Sequence, residues 1–122
     1  MPPVFTPLND DLTINYGIIP AYAKFLADSG IKSVLVGGTT GEHMSLSVAD
    51  RKKVIDAWVA VAKTTGLHIQ VQVGGAPLAD VTELVRFLGK KKIIDTKDLI
   101  ISGVFSHLLL QKHNSTTEDV EL

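Results

Sequence analysis

The residues of this sequence best suited to bind a ligand lie in the segment GGTTGE, residues 37–42. Its glycines allow unusual backbone dihedral angles and a close approach of the main chain, so that successive N–H groups can converge on an anion. The hydroxyl groups of Thr39 and Thr40 add two further hydrogen-bond donors. The segment therefore predicts a small anion-binding turn. The alternative is a tight connection between a strand and a helix with no ligand.

The familiar phosphate-binding motifs do not fit this segment. A P-loop needs a lysine that is absent here, and the glycine spacing is not the G-x-G-x-x-G of dinucleotide-binding proteins. Glu42 would repel a highly charged anion, and we expect no basic residue beside the turn. A single carboxylate is therefore the predicted ligand group.

The elements on either side place the turn at the end of a strand. Residues 31–36, IKSVLV, are rich in β-branched residues and predict a strand buried on both faces, as in a parallel sheet. Ser47, with Asp50 three residues later, resembles a capping box at the start of an amphipathic helix that ends near Gly66. Ligands of parallel sheets bind at the carboxyl ends of the strands, which is where this turn would lie.

Similar units precede and follow the turn. Residues 4–7 predict a short strand, and a helix beginning near residue 17 with Pro20 in its first turn ends at Gly30. Residues 68–73 alternate between polar and apolar side chains and predict a third strand. Pro77 is then expected in the first turn of a helix that reaches about Leu88. Three successive strand–helix units predict an α/β fold with parallel strands and right-handed crossovers. The apolar run at 99–110 fits a fourth strand or a short helix.

Composition narrows the class of protein. The 122 residues suffice for one small domain, and a net charge of -1 gives no field that would attract nucleic acid or an anionic membrane. The chain has no cysteine, which excludes disulfides and thiolate metal sites. No signal peptide and no apolar run of about 20 residues is present, so we expect a soluble protein.

Other residues offer weaker candidates for chemistry. The histidines, at positions 43, 68, 107 and 113, lack metal-binding spacing, so we expect no metal. We expect His43 to be a partly exposed turn residue and Glu42 to accept hydrogen bonds from nearby backbone. Trp58 is expected in the core or at a subunit contact. Thr6 is expected at the carboxyl end of the first strand, without a direct role in binding substrate.

Three segments together carry a family resemblance: VFTP, then GGTTGEHMSLSVADRKKVIDAWV, then HIQVQVGG. They resemble the first three strand–helix units of the Schiff-base aldolases that include dihydrodipicolinate synthases and N-acetylneuraminate lyases, and they are most similar to the lyases. The resemblance covers residues 3 to about 86. It implies a (β/α)8 barrel, cytoplasmic and homotetrameric, that cleaves N-acetylneuraminate to N-acetylmannosamine and pyruvate without metal or other cofactor.

The resemblance also implies a role for the turn. Its paired hydroxyl residues hold the carboxylate of the 2-oxo acid in the family. This role falls to Thr39 and Thr40, with Gly41 contributing backbone. The partner implied is thus a small-molecule 2-oxo acid, the pyruvate moiety of N-acetylneuraminate, with no nucleic acid and no membrane.

Much of the family's catalytic machinery has no counterpart in this sequence. A complete barrel needs about 250 residues, and neither the Schiff-base lysine of its sixth strand nor the catalytic tyrosine of its fifth strand is matched. We therefore expect residues 1–86 to form part of a barrel, residues 87–122 to be a divergent and partly disordered segment, and the isolated chain to be inactive. The alternatives are a non-catalytic module that associates with full-length subunits, or another 2-oxo acid aldolase of the dihydrodipicolinate synthase type.

Overall fold

The computed structural model describes residues 1–74 and 77–90, and the backbone of residues 99 and 100. Three α-helices, two single-turn 3₁₀ helices and three strands alternate along this part of the chain. The strands are β1 (Ser33–Val36), β2 (His68–Gln72) and β3 (Leu99–Ile100), and the α-helices are α1 (Ile19–Asp28), α2 (Val48–Thr65) and α3 (Leu78–Gly89).

The strands form a parallel sheet in the order β1-β2-β3. In its register Val34 lies beside Ile69. This confirms the predicted α/β arrangement with parallel strands. The predicted first strand at residues 4–7 is reduced to an isolated parallel bridge between Pro3 and Leu35, because the prolines that flank it have no N–H to donate to a ladder.

Only one face of the sheet is fully buried. Val34 and Val36 of β1 are buried, as are Ile69 and Val71 of β2, whereas Leu35 on the opposite face is only half-buried. The predicted burial on both faces is therefore wrong for the described residues. The described helices pack against the buried face of the sheet. The two faces of β1 therefore differ in burial, as in a sheet covered by one layer of helices.

The first two helices begin and end where the sequence predicts. Pro20 lies in the first turn of α1, and Gly30 follows the helix with a φ of 89°. The Ser47 hydroxyl accepts a hydrogen bond from the Asp50 amide at 3.1 Å and caps α2. Gly66 ends α2 in the left-handed conformation at a φ of 75°, which costs glycine little.

Contacts between the helices fix the layer that supports the sheet. Trp58 of α2 is fully buried and meets the Tyr22 ring of α1 edge to face, at 5.5 Å between centroids. The prediction that Trp58 lies in the core is confirmed. Lys52 of α2 forms a salt bridge with Glu83 of α3 at 2.7 Å and lies over the Phe87 ring. The sequence predicts Pro77 in the first turn of α3. It lies one position earlier, as the residue that directly precedes the helix.

Some predictions fall on residues outside the described part of the chain. For the apolar run at 99–110, the sequence leaves a strand and a short helix open. The structure describes only its first two residues, which form the strand β3. The division into residues 1–86 and 87–122 stays a prediction. None of the described helices has the length and apolar character needed to cross a membrane.

Candidate anion-binding turn

The glycine–threonine turn, residues 37–42, leaves the carboxyl end of β1 and folds back on itself. Gly37 adopts a φ of 75°, a backbone conformation that residues other than glycine rarely adopt. Two successive backbone hydrogen bonds follow, from Gly41 N–H to the Gly38 carbonyl at 3.0 Å and from Glu42 N–H to the Thr39 carbonyl at 2.9 Å. The turn is thus a hydrogen-bonded structure with a defined shape.

The first segment of the chain holds the far end of the turn. The buried Thr6 hydroxyl donates a hydrogen bond to the Gly41 carbonyl at 2.7 Å. A Cβ at Gly41 would lie 3.2 Å from the Val4 carbonyl oxygen and 3.3 Å from the Thr6 hydroxyl. Gly41 is therefore required by close packing, and Thr6 braces the turn.

The two threonines of the turn retain unused donors. Thr39 is exposed and Thr40 is half-buried. Within the described residues, neither their hydroxyl groups nor their amide groups donate a hydrogen bond. Gly41 differs, because its amide already donates to the Gly38 carbonyl. The braced turn thus presents donors on Thr39 and Thr40, at the carboxyl end of a parallel strand, that no described residue engages.

Glu42 is exposed and does not act as predicted. It adopts the left-handed conformation at a φ of 56°, which is uncommon for residues other than glycine, asparagine and aspartate. Its carboxylate accepts no hydrogen bond from the described residues, contrary to the expected role as an acceptor for backbone. Its conformation turns the chain into the short 3₁₀ helix His43–Ser45.

His43 is buried, and the expected partly exposed turn histidine is wrong. Its side chain is 6% exposed, and neither ring nitrogen finds a hydrogen-bond partner among the described residues. The left-handed Glu42 directs the chain inward at this point, which a sequence pattern does not reveal. Nowhere in the part of the chain with described positions do three His, Asp or Glu side chains group as metal ligands.

A basic residue does stand beside the turn, contrary to the sequence prediction. Arg51 of α2 is 5% exposed, and its Nη2 donates to the Gln72 carbonyl at the end of β2, at 2.8 Å. Together with Thr6 and Gly37 it lines a small cavity below the turn. Burial lowers the pKa of Arg51, while the charge of Asp80 opposes that effect. The sequence contained a signal, because Arg51 occupies the helical stripe of Val54, Ile55 and Trp58.

The arrangement presents hydrogen-bond donors of the kind that suit a small anion, and no described lysine is buried beside it. Hydroxyl and amide donors at a fixed turn suit a carboxylate, whose oxygens accept several hydrogen bonds at once. Every lysine that the structure describes is exposed or half-buried rather than buried. A lysine that forms a Schiff base needs a lowered pKa, usually from burial or a nearby positive charge.

Comparison with known proteins relates this fold to one family. The dihydrodipicolinate synthetase family matches residues 1–91. N-acetylneuraminate lyase of Pongo abelii is 35% identical over 82 residues, which are 66% of this chain and 26% of that protein. The match thus spans about a quarter of the length of such relatives.

Solved structures agree with the sequence match. N-acetylneuraminate lyase of Proteus mirabilis superimposes with a TM-score of 0.68 at 35% identity, covering 72% of this chain and 30% of that one. A sialic acid aldolase of Ruminococcus gnavus, with its catalytic lysine mutated, gives a TM-score of 0.73 at 22% identity, over 98% of this chain and 40% of that one. The described strands and helices are the N-terminal portion of the (β/α)8 barrel of these enzymes. The chain belongs to the dihydrodipicolinate synthetase family of aldolases, within which it resembles the N-acetylneuraminate lyases.

Proposed function

We propose that the glycine–threonine turn binds the carboxylate of a 2-oxo acid, namely pyruvate or the pyruvate moiety of N-acetylneuraminate. Thr39 and Thr40 supply the hydrogen bonds, and Gly41 shapes the turn. The observation that carries the proposal is the contrast, within the described part of the chain, between these two threonines, whose donors have no acceptor there, and their neighbours, which are held by hydrogen bonds. Donors fixed before binding lose little conformational entropy when a ligand arrives.

The position of the turn supports the same assignment. It lies at the carboxyl ends of parallel strands, where the active sites of barrel enzymes form. The matched relatives are N-acetylneuraminate lyases by name. Glu42, exposed at the end of the turn, disfavours a phosphate dianion more than a single carboxylate, and the guanidinium of the nearby Arg51 is bonded to the Gln72 carbonyl.

For this chain alone we propose binding without aldol cleavage. A Schiff base forms at an unprotonated amine, which requires a lysine that is shielded from solvent or placed beside another positive charge. The described lysines retain access to solvent. The full lyase activity, the cytoplasmic homotetramer of the family and the Schiff-base chemistry would require residues that this sequence does not match.

Trapping with borohydride tests this division between binding and chemistry. The purified 122-residue chain would be incubated with pyruvate and borohydride, and its mass measured. We expect no stoichiometric pyruvyl adduct and no release of pyruvate from N-acetylneuraminate. The dissociation constant for pyruvate should be of millimolar order, which corresponds to a binding free energy of about -4 kcal/mol. One carboxylate with a few hydrogen bonds supplies little more binding free energy than this.

Two valine variants make the binding test specific. Thr40→Val removes a donor of the turn with little change in volume, and Thr82→Val removes a hydroxyl that, among described residues, bonds within α3 to the Leu78 carbonyl. We expect weaker pyruvate binding in the first and unchanged binding in the second. Lyase activity in the isolated chain that Thr40→Val abolishes would contradict the proposed absence of chemistry, and equal affinity in both variants would contradict the proposed binding site.

A further inference from the structure

Arg51 has an unusual environment for a charged residue. It is 5% exposed, and the one hydrogen bond it donates among described residues goes to the Gln72 carbonyl. Among described residues Arg51 forms no salt bridge, and the charge of Asp80, which favours the charged guanidinium, lies outside salt-bridge distance. A buried charge is costly unless its interactions repay the loss of hydration. This placement needs a reason beyond the packing of α2.

The Gln72 carbonyl is a shared contact point. It accepts the Arg51 hydrogen bond at 2.8 Å, and a Cβ at Gly37 would lie only 3.2 Å from it. The end of β2 therefore touches both the first residue of the glycine–threonine turn and the first helical turns that follow. The backbone between Gly37 and Arg51, which contains Thr39 and Thr40, therefore meets one carbonyl group at both ends, by close approach at Gly37 and by a hydrogen bond at Arg51.

A second contact, from Thr6, also holds the turn. The Thr6 hydroxyl holds the Gly41 carbonyl, while Thr6, Gly37 and Arg51 line the same cavity. Thr6 thus contacts the turn directly from the first segment of the chain, while Arg51 of α2 bonds to the strand end that the turn approaches. Guanidinium is suited to this because its planar fork is preorganised and always charged.

We propose that Arg51 is a positioning residue for the anion-binding turn. By tying α2 to the Gln72 carbonyl it holds Gly37 against β2 and keeps the donors of Thr39 and Thr40 convergent. Arg51 itself does not need to touch the ligand. The inference rests on the proposed binding of a 2-oxo acid, and it predicts an effect on the turn even without ligand.

The test compares Arg51→Met with a matched change at the next exposed position of α2, Lys53→Met. Pyruvate would be titrated into each ¹⁵N-labelled variant and into the wild-type chain. Binding would be followed by the NMR chemical shifts of the Thr39 and Thr40 amides. We expect Arg51→Met to weaken pyruvate binding at least tenfold, since small displacements of binding groups have large effects. Lys53→Met should remain within about twofold of wild type, as expected for an exposed side chain.

Hydrogen exchange in the absence of ligand gives an independent readout. The Gly41 and Glu42 amides donate within the turn, and Arg51→Met should speed their exchange at least tenfold relative to amides of α3, through local opening. Arg51→Lys keeps the charge but loses the fork, and it should fall between wild type and Arg51→Met in both measurements. If Arg51→Met does not fold, a threefold or greater change in Arg51→Lys supports the proposal.

Several outcomes would overturn the positioning role. These are an Arg51→Met chain that behaves like Lys53→Met, exchange that rises equally throughout the chain, or an Arg51→Lys chain equal to wild type when Arg51→Met is unfolded. If wild type binds no pyruvate, the proposed function fails. The exchange at Gly41 and Glu42 then still decides whether Arg51 positions the turn.

Discussion

Substitution of Gly41 by alanine tests how tightly the turn is packed. The added Cβ would lie 3.2 Å from the Val4 carbonyl oxygen and 3.3 Å from the Thr6 hydroxyl. The first contact is with backbone, and the Thr6 hydroxyl can withdraw only by lengthening its buried 2.7 Å hydrogen bond to the Gly41 carbonyl. Overpacking of this kind costs about 1–3 kcal/mol. We expect Gly41→Ala to lower the free energy of unfolding by that amount.

The same turn offers a matched control. A Cβ at Gly38 would meet only the Leu35 side chain, at 3.4 Å, and Gly38 has no positive φ. Gly38→Ala should therefore change the free energy of unfolding by less than about 0.5 kcal/mol. Urea unfolding followed by the fluorescence of Trp58, the single and fully buried tryptophan, measures both variants. Equal stabilities for Gly41→Ala and Gly38→Ala would refute the packing reasoning.

Three further substitutions test other contacts. Thr6→Val leaves the Gly41 carbonyl without its buried donor, and urea unfolding should show a loss of about 1–3 kcal/mol. Ser47→Ala removes the cap of α2 and should cost about 1 kcal/mol in the same assay. Burial and the nearby Asp50 carboxylate raise the pKa of Tyr16 above its ordinary 10.0, so its contribution to stability is complete below pH 10 and is lost as pH rises through the folded-state pKa. Wild type should thus lose stability more steeply than Tyr16→Phe above pH 10, and parallel pH profiles would contradict this.

The regular elements followed from local sequence signals. Ser47 and Gly66 mark the ends of α2 because capping depends on residues that are neighbours in the chain. The strand from Ser33 to Val36 followed from its β-branched run, and the alternation of strands and helices gave the parallel sheet. The turn could be located because glycine and threonine clusters have few structural uses.

The expectations that proved wrong depend on contacts between parts of the chain that are distant in sequence. Arg51 lies fourteen residues after Gly37 in sequence, and only the fold brings it to the end of β2. The burial of His43 depends on the left-handed backbone at Glu42, which glutamate rarely adopts. The hydrogen bond from Thr6 to the Gly41 carbonyl, which no expectation covered, likewise depends on the fold that brings the first segment across Gly41. Local patterns contain no information about such pairings.

A titration of the ¹⁵N-labelled 122-residue chain with pyruvate, compared with inorganic phosphate, tests the central claim most directly. We predict saturable chemical-shift changes centred on the Thr39 and Thr40 amides, with a dissociation constant for pyruvate of millimolar order and weaker binding of phosphate. Shifts that never saturate, that lie away from the turn, or that favour phosphate over pyruvate would contradict the assignment of this turn as a carboxylate site.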